Sequence, residues 1–198
     1  MDEQAREQAF VNAVGTELFV TQAARGAIVS EMTGRGMIYM GAVSSALIAF
    51  GFLASTGDLA PFVAGVLPAL LIFGELTFAA LLRNTVENVV LLRRMQHIRS
   101  FYRGLAPDDS NIFDPPHADP VFAAAVGTIG LARAPAQALF TGASTIAAVN
   151  AMIGGVGAAL LVWHVGASVA AAIAVGVAVA LGLFGAHVAY EQRRLGQL

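Results

Sequence analysis

One carboxylate, Glu75, lies inside an otherwise apolar run over residues 61–82, PFVAGVLPALLIFGELTFAALL. It precedes Arg83 by eight residues, which corresponds to roughly 12 Å along a helix. An ionisable group at such a position is expensive in hydrocarbon, and it is therefore a candidate for handling a proton or a cation. The structural alternative is a carboxyl group that forms a hydrogen bond to a neighbouring helix and holds the two helices together.

Two further polar side chains lie at similar depth in later apolar runs. Asn150 lies near the middle of residues 142–163, and His187 precedes Arg193 by six residues. If the helices that carry them are neighbours, His187 can pair with Glu75; the alternative is that it extends toward the membrane surface. Asn150 is more typical of an interhelical hydrogen bond than of a ligand contact.

Two serines and a proline complete the predicted intramembrane site. Ser44 and Ser45 lie near the middle of the apolar run 37–54. Pro68 precedes Glu75 by seven residues, or two helical turns, on the same face. Because proline interrupts the hydrogen bonds of a helix, we expect a kink there.

The composition indicates that these residues belong to membrane spans. The chain of 198 residues is 57% hydrophobic and only 12% charged, whereas soluble domains have about 25% charged residues. Each of four apolar runs matches the roughly 30 Å hydrocarbon core of a bilayer. The sequence therefore predicts an all-α polytopic membrane protein with four transmembrane helices in two hairpins, at residues 37–54, 61–82, 142–163 and 167–189.

The basic residues predict the orientation in the membrane. All eleven are arginines, and none lies in the short loops 55–60 and 164–167. Lys and Arg that flank membrane spans are retained in the cytoplasm. We therefore expect both termini to be cytoplasmic.

The polar segments predict a cytoplasmic layer. Apolar residues at helical spacing in 1–36 predict an amphipathic helix, with a hinge at Gly34-Arg35-Gly36 before the first span. The second span has no stop signal, so its helix is expected to continue through 83–104. Residues 105–141 are predicted as a loop with a short helix, because their first part is rich in Pro and Asp, and 190–198 as a tail.

Five arginines give the predicted extension 83–104 a basic face, which consists of Arg83, Arg93, Arg94, Arg99 and Arg103. This face could contact anionic lipid headgroups or pair with acidic residues of the N-terminal helix. A net charge of only −2 gives no reason to expect nucleic acid as a partner. No cofactor or metal is expected either, since the chain has no Cys and no nucleotide-binding or metalloprotease motif.

Small residues and a short internal similarity bear on assembly. Ala174, Ala178, Gly182 and Ala186 recur every four residues, a spacing that lets helices pack closely, within the chain or between subunits of a homo-oligomer. Residues 10–16 resemble residues 122–128 at an offset of 112. A parallel internal repeat explains this similarity, and so does chance in a chain rich in Ala, Gly and Val.

The segments GTELFVTQAARGAIVSEMTGRG, MIYMGAVSSALIAF and ELTFAALLRNTVENVVLLRRMQHIRSFYRGLAP resemble uncharacterised bacterial multi-pass inner-membrane proteins. The resemblance covers the first half of the chain and implies the inner membrane as location, without an activity. The residues themselves favour a homo-oligomeric channel or small transporter that uses Glu75. The alternative is a membrane-embedded scaffold or signalling effector that works through its basic helix. An enzyme is not expected, because only His187 could serve as a second catalytic group.

Overall fold

The computed structural model describes residues 2–57, 59, 62–105 and 141–197, and all regular structure in these residues is helical. The predicted loop and short helix at 105–141 lie, apart from their two end residues, outside the described part of the chain. The elements are helix α1 (Glu3–Thr56), a π-helical turn (Phe62–Val66), and helices α2 (Leu67–Leu105), α3 (Gly142–His164) and α4 (Val169–Leu195).

All four helices are long and apolar enough to cross a membrane. At 1.5 Å per residue, α3 and α4 are roughly 35 and 40 Å long, which is close to one bilayer core. The same rise makes α1 roughly 80 Å and α2 roughly 60 Å long. For the described residues, the predicted all-helical fold with four helices long and apolar enough to span a membrane is therefore confirmed. Helices α1 and α2 each extend well beyond one hydrocarbon thickness.

Helix α1 continues without interruption through Gly34-Arg35-Gly36. The predicted hinge at this sequence is wrong. Packing against α2 holds α1 on both sides of it, since Arg25 Nε donates to Asn88 Oδ1 (3.0 Å) and the Tyr39 and Phe73 rings lie 5.7 Å apart. A glycine pair is too weak a helix breaker to interrupt a helix that tertiary contacts support on both sides.

Helices α1 and α2 contact each other along most of their length. The Phe10 and Phe101 rings lie 5.5 Å apart near one end of the pair, and the Phe50 and Phe62 rings lie 5.4 Å apart near the other. The start of α1 therefore lies beside the end of α2. In the extension 83–104, the apolar side chains of Met95 and Ile98 are buried.

Helix α2 also packs against α3, and the core lies where α1, α2 and α3 meet. Large side chains from α1 and α2 meet small ones from α3, so the three backbones approach closely. The buried residues of this core are Tyr39, Phe78, Leu81, Leu82, Ala143, Ile146 and Ala147.

Helices α3 and α4 pack with their backbones in contact. A Cβ atom added to Gly155 would lie 2.6 Å from the Gly176 carbonyl oxygen, and one added to Gly176 would lie 2.8 Å from the Gly155 carbonyl oxygen. Ala151 and Ala172 are buried on the same two faces. The third span thus packs closely against the fourth through small residues, at Ala151 and Gly155.

The predicted small-residue stripe of the fourth span does not form this contact. Its members are exposed, whereas the face of α4 that turns inward carries Ala172, Gly176, His187 and Glu191. A spacing of four residues fits several faces of one helix, and α4 uses another face for its contact with α3. The alternative, a contact of this stripe between subunits, stays a prediction. The exposed stripe consists of Ala174, Ala178, Gly182 and Ala186.

Candidate functional site

Three of the five predicted polar site residues meet between α2, α3 and α4. His187 Nε2 lies 2.9 and 3.0 Å from the two carboxyl oxygens of Glu75. Asn150 Nδ2 donates to Glu75 Oε1 at 2.6 Å. Glu75 and His187 are therefore within hydrogen-bond reach, a separation that an intramembrane acid–base enzyme would also require.

A fourth residue, Tyr39 of α1, was missed by the sequence analysis. Its ring is fully buried, and its hydroxyl donates to Asn150 Oδ1 at 3.3 Å. A tyrosine two residues into a predicted span is typical of the membrane interface, so its type alone did not indicate a buried contact. We call Tyr39, Glu75, Asn150 and His187 the polar cluster; each of the four helices contributes one of them.

A spacing in the sequence could have indicated the cluster. Glu75 and His187 are separated by 112 residues, the same offset that relates residues 10–16 to residues 122–128. Tyr39 and Asn150 are separated by 111. Aligning the two halves of the chain at this offset places the carboxylate and the imidazole at the same level.

Gly74 makes room for the polar cluster on α2. A Cβ atom at this position would lie 2.8 Å from Tyr39 Oη and closer still to the side-chain amide of Asn150. Any other residue would therefore displace the Asn150 side chain from its position beside Glu75. The glycine directly before the carboxylate thus allows α3 to approach closely enough to form the hydrogen bond.

The imidazole of His187 is held on its remaining sides. Its Nδ1 lies 2.7 Å from the carbonyl oxygen of Leu183, one turn earlier in α4. The Phe78 ring packs edge-on against the imidazole, with centroids 4.7 Å apart and planes at 86°. Only 9% of the His187 side chain is exposed. The ring therefore has little freedom to rotate away from Glu75.

Glu75 lies at the edge of the polar cluster and not inside it. Its side chain is 53% exposed. Its neighbours Ile72 and Leu76 are also exposed, so the carboxylate lies on an apolar face of α2. An ionisable group on such a face within a bilayer needs water or another protein chain beside it.

Ser44 and Ser45 do not join the polar cluster, and their assignment to the site is corrected. Both are exposed, and Ser45 Oγ donates to the Gly41 carbonyl oxygen within α1 (2.9 Å). The helical period turns Tyr39 and Ala46 inward, which leaves the two serines on another face. The π-helical turn Phe62–Val66 ends two residues before Pro68, at the place where the sequence predicts a kink.

Part of the predicted basic face pairs with α1. Arg94 Nη2 lies 2.9 Å from Glu17 Oε1, which fulfils one of the two roles expected for these arginines. Arg83 and Arg93 are exposed. The two arginines nearest the end of α2, Arg99 and Arg103, are partly buried.

A second carboxylate, Glu191, is fully buried and was not predicted, since it lies in the segment expected to be a tail. Thr141 Oγ1 donates to Glu191 Oε1 at 2.7 Å, and the same hydroxyl accepts from the Ser144 amide at 3.0 Å. The threonine thus caps α3 and fastens it to the end of α4. Among the residues that the structure describes, Glu191 Oε2 has no hydrogen-bond partner.

Within the described residues, no group of three His, Asp or Glu side chains is placed to hold a metal ion. No protein-family model, curated protein or solved structure matches the chain. The resemblance to bacterial inner-membrane proteins therefore stays a prediction.

Proposed function

We propose that the protein is a homo-oligomeric channel or small transporter of the bacterial inner membrane, and that Glu75 lies on its proton or cation pathway. The observation that carries the proposal is the position of the carboxylate. It contacts His187 and Asn150 on one side and exposes about half of its side chain on the other. A carboxyl group that only held helices together through hydrogen bonds would gain nothing from being exposed to hydrocarbon.

The proposed topology has two transmembrane hairpins with both termini in the cytoplasm. The arginines support it, because those of α1 and α2 lie in the parts of these helices outside the apolar runs. These outer parts pack on each other, as the Phe10–Phe101 contact indicates. They form the amphipathic cytoplasmic layer of the proposed arrangement.

Two surface features support an oligomer. The exposed stripe Ala174, Ala178, Gly182 and Ala186 on α4 has the spacing of a close helix contact. The half-exposed Glu75 side chain needs a polar environment, which a second copy or a water-filled path between copies would supply. Both features are on surfaces that one chain leaves open.

Ion flux into liposomes that contain the purified chain tests the proposal. We expect a flux of protons or cations in the wild type that Glu75→Gln abolishes while the oligomer stays intact. Glu87→Gln is the matched control, since it makes the same change on an exposed position of the same helix. Equal flux in the wild type and Glu75→Gln would remove Glu75 from the pathway.

The second candidate function is a scaffold or signalling effector. The exposed Arg83 and Arg93, on a helix that continues beyond one bilayer thickness, favour it. Charge reversal at Arg83 and Arg93 is then expected to weaken binding to vesicles that contain anionic lipid, and Glu75→Gln to leave binding unchanged. Arg94 is left intact because it pairs with Glu17. Vesicle binding that survives the reversal would contradict this function.

A further inference from the structure

We propose that the ion handled at Glu75 is the proton, and that Glu75 and His187 hold one proton between them and exclude sodium. The inference rests on the proposed function and specifies the ion at the same site. It depends on the hydrogen-bonding roles of the atoms around the carboxylate.

The tautomer of His187 is fixed by its own helix. A backbone carbonyl oxygen can only accept, so Nδ1, which lies 2.7 Å from Leu183 O, carries a proton. In the neutral imidazole, Nε2 is then an acceptor with a lone pair. This lone pair points at two carboxyl oxygens 2.9 and 3.0 Å away, which are acceptors too when Glu75 is ionised.

One proton between the two side chains resolves this conflict. In one form the carboxylic acid of Glu75 donates to Nε2 of a neutral imidazole. In the other the O–H bond is broken, an N–H bond is formed, and the imidazolium donates to the carboxylate. Both forms have no net charge, whereas removing the proton leaves an uncompensated negative charge beside the apolar Phe78. The two side chains therefore hold this proton jointly.

The remaining neighbours of the carboxylate do not suit a metal cation. Asn150 Nδ2 lies 3.4 Å from the Leu71 carbonyl oxygen, and this acceptor fixes the orientation of the amide. The amide therefore presents N–H groups to Glu75 and turns its oxygen toward Tyr39. Hard cations require several oxygen ligands. In the described residues, the side chains bonded to Glu75 are both nitrogen ligands, from Asn150 and His187.

The other charged and titratable groups near Glu75 and His187 have other contacts or are exposed. The proton held by this pair is therefore the one that exchanges. Helix α1 contributes Tyr39, which donates to Asn150, and α3 contributes the uncharged amide. On α4, Glu191 follows His187 by one turn but accepts from Thr141. On α2, Arg83 lies two turns after Glu75 and is exposed.

The exposed fractions of the two side chains indicate the direction in which the proton moves. Glu75 is 53% exposed and His187 is 9% exposed. A proton therefore reaches the carboxyl group from the open side and moves to Nε2 on the buried side. Glu75 is the exchanging group, and His187 is the internal acceptor.

Ion selectivity in liposomes tests the inference. With the membrane voltage clamped by potassium and valinomycin, we expect proton flux that persists when sodium is replaced by choline. We expect no uptake of radioactive sodium. Both Glu75→Gln and His187→Gln should abolish the proton flux, and Glu87→Gln should retain it. Sodium uptake that depends on Glu75 would uphold the proposed function and overturn the proton assignment. Absence of any flux that depends on Glu75 would overturn the proposed function itself.

A spectroscopic titration tests the shared proton without transport. Infrared difference spectra of the purified protein, with Glu75→Gln and His187→Gln as references, separate the carboxyl and imidazole signals. A shared proton predicts that both signals change in one common pH step. It also predicts that adding sodium chloride releases no protons from the wild type beyond those released from Glu75→Gln. Two separate pH steps, or proton release that depends on Glu75, would contradict the inference.

Discussion

Replacing Gly74 by alanine is expected to disrupt the polar cluster although none of its four residues is substituted. The added Cβ would lie 2.8 Å from Tyr39 Oη and nearer still to the Asn150 amide. Overpacking of a well-packed site costs about 1–3 kcal/mol. Displacing Asn150 also weakens its hydrogen bond to Glu75, and bonds to charged groups contribute about 1.5–3 kcal/mol. Since these two costs overlap, we expect a loss of roughly 2–4 kcal/mol in the free energy of unfolding.

Gly185→Ala is the matched control, because nothing lies within 4 Å of a Cβ added there. Alanine favours a helix over glycine by roughly 0.5–1 kcal/mol, so the control is expected to be equally stable or slightly more stable than the wild type. Unfolding of the detergent-solubilised protein in SDS can be followed through the fluorescence of Trp163, the single tryptophan. Equal stability of Gly74→Ala and Gly185→Ala would refute the reasoning.

A double-mutant cycle assigns the cost to the contact with Asn150. Asn150→Ala removes the group that the new Cβ meets, so Gly74→Ala should cost less in that background. We expect a coupling energy of at least about 1 kcal/mol, in the range found for side chains in contact. Additive effects would show that Gly74 acts elsewhere than on Asn150.

Three further predictions concern other contacts of the fold. Gly155→Ala should destabilise the protein by about 2 kcal/mol or more, because the new Cβ meets backbone that cannot move aside. Gly157→Ala should not, since the atom nearest to its new Cβ is the end of a flexible leucine side chain 3.7 Å away, and unfolding in SDS compares the two variants. Thr141→Val should lower the free energy of unfolding by roughly 1–3 kcal/mol, since the helix cap and the hydrogen bond to Glu191 are both lost. Glu191→Gln should lower it less, because the new side chain can still accept from Thr141, and a larger loss for Glu191→Gln in the same assay would contradict the capping role of Thr141. Ala178→Cys, in a chain with no other cysteine, should form a disulfide dimer under mild oxidation in membranes, and a chain that stays monomeric on gels would count against an oligomer contact at this stripe.

The depth of the site residues could be predicted from the sequence, but their direction around each helix could not. Hydropathy and the nearest arginine placed Glu75 and His187 at similar levels, and the structure brings them into contact. The same reasoning placed Ser44 and Ser45 at that level, yet they face outward. Which side of a helix faces inward depends on how whole helices pack, and a run that is apolar all round carries little of that information.

Tyr39 is a residue of the site that the sequence analysis did not identify. Its hydroxyl completes the hydrogen bonds of Asn150, but only the close approach of α1 to α3 reveals it. The hinge predicted at Gly34-Arg35-Gly36 is wrong for a related reason, since local helix-breaking residues were outweighed by contacts with α2. Local sequence indicated the elements and their chemistry, and tertiary packing decided which groups meet.

The continuity of α2 has a mechanical consequence. No break separates Glu75 from Arg103, which lies roughly 42 Å further along the helix. The segment between them is one continuous helix, so a rotation of its arginine-bearing end about the helix axis is expected to turn the carboxylate as well. A register shift of α2 by a single residue would rotate Glu75 by about 100° and carry it away from His187. A rotation of α2 imposed at its arginine-bearing end is therefore expected to change the hydrogen bond between Glu75 and His187.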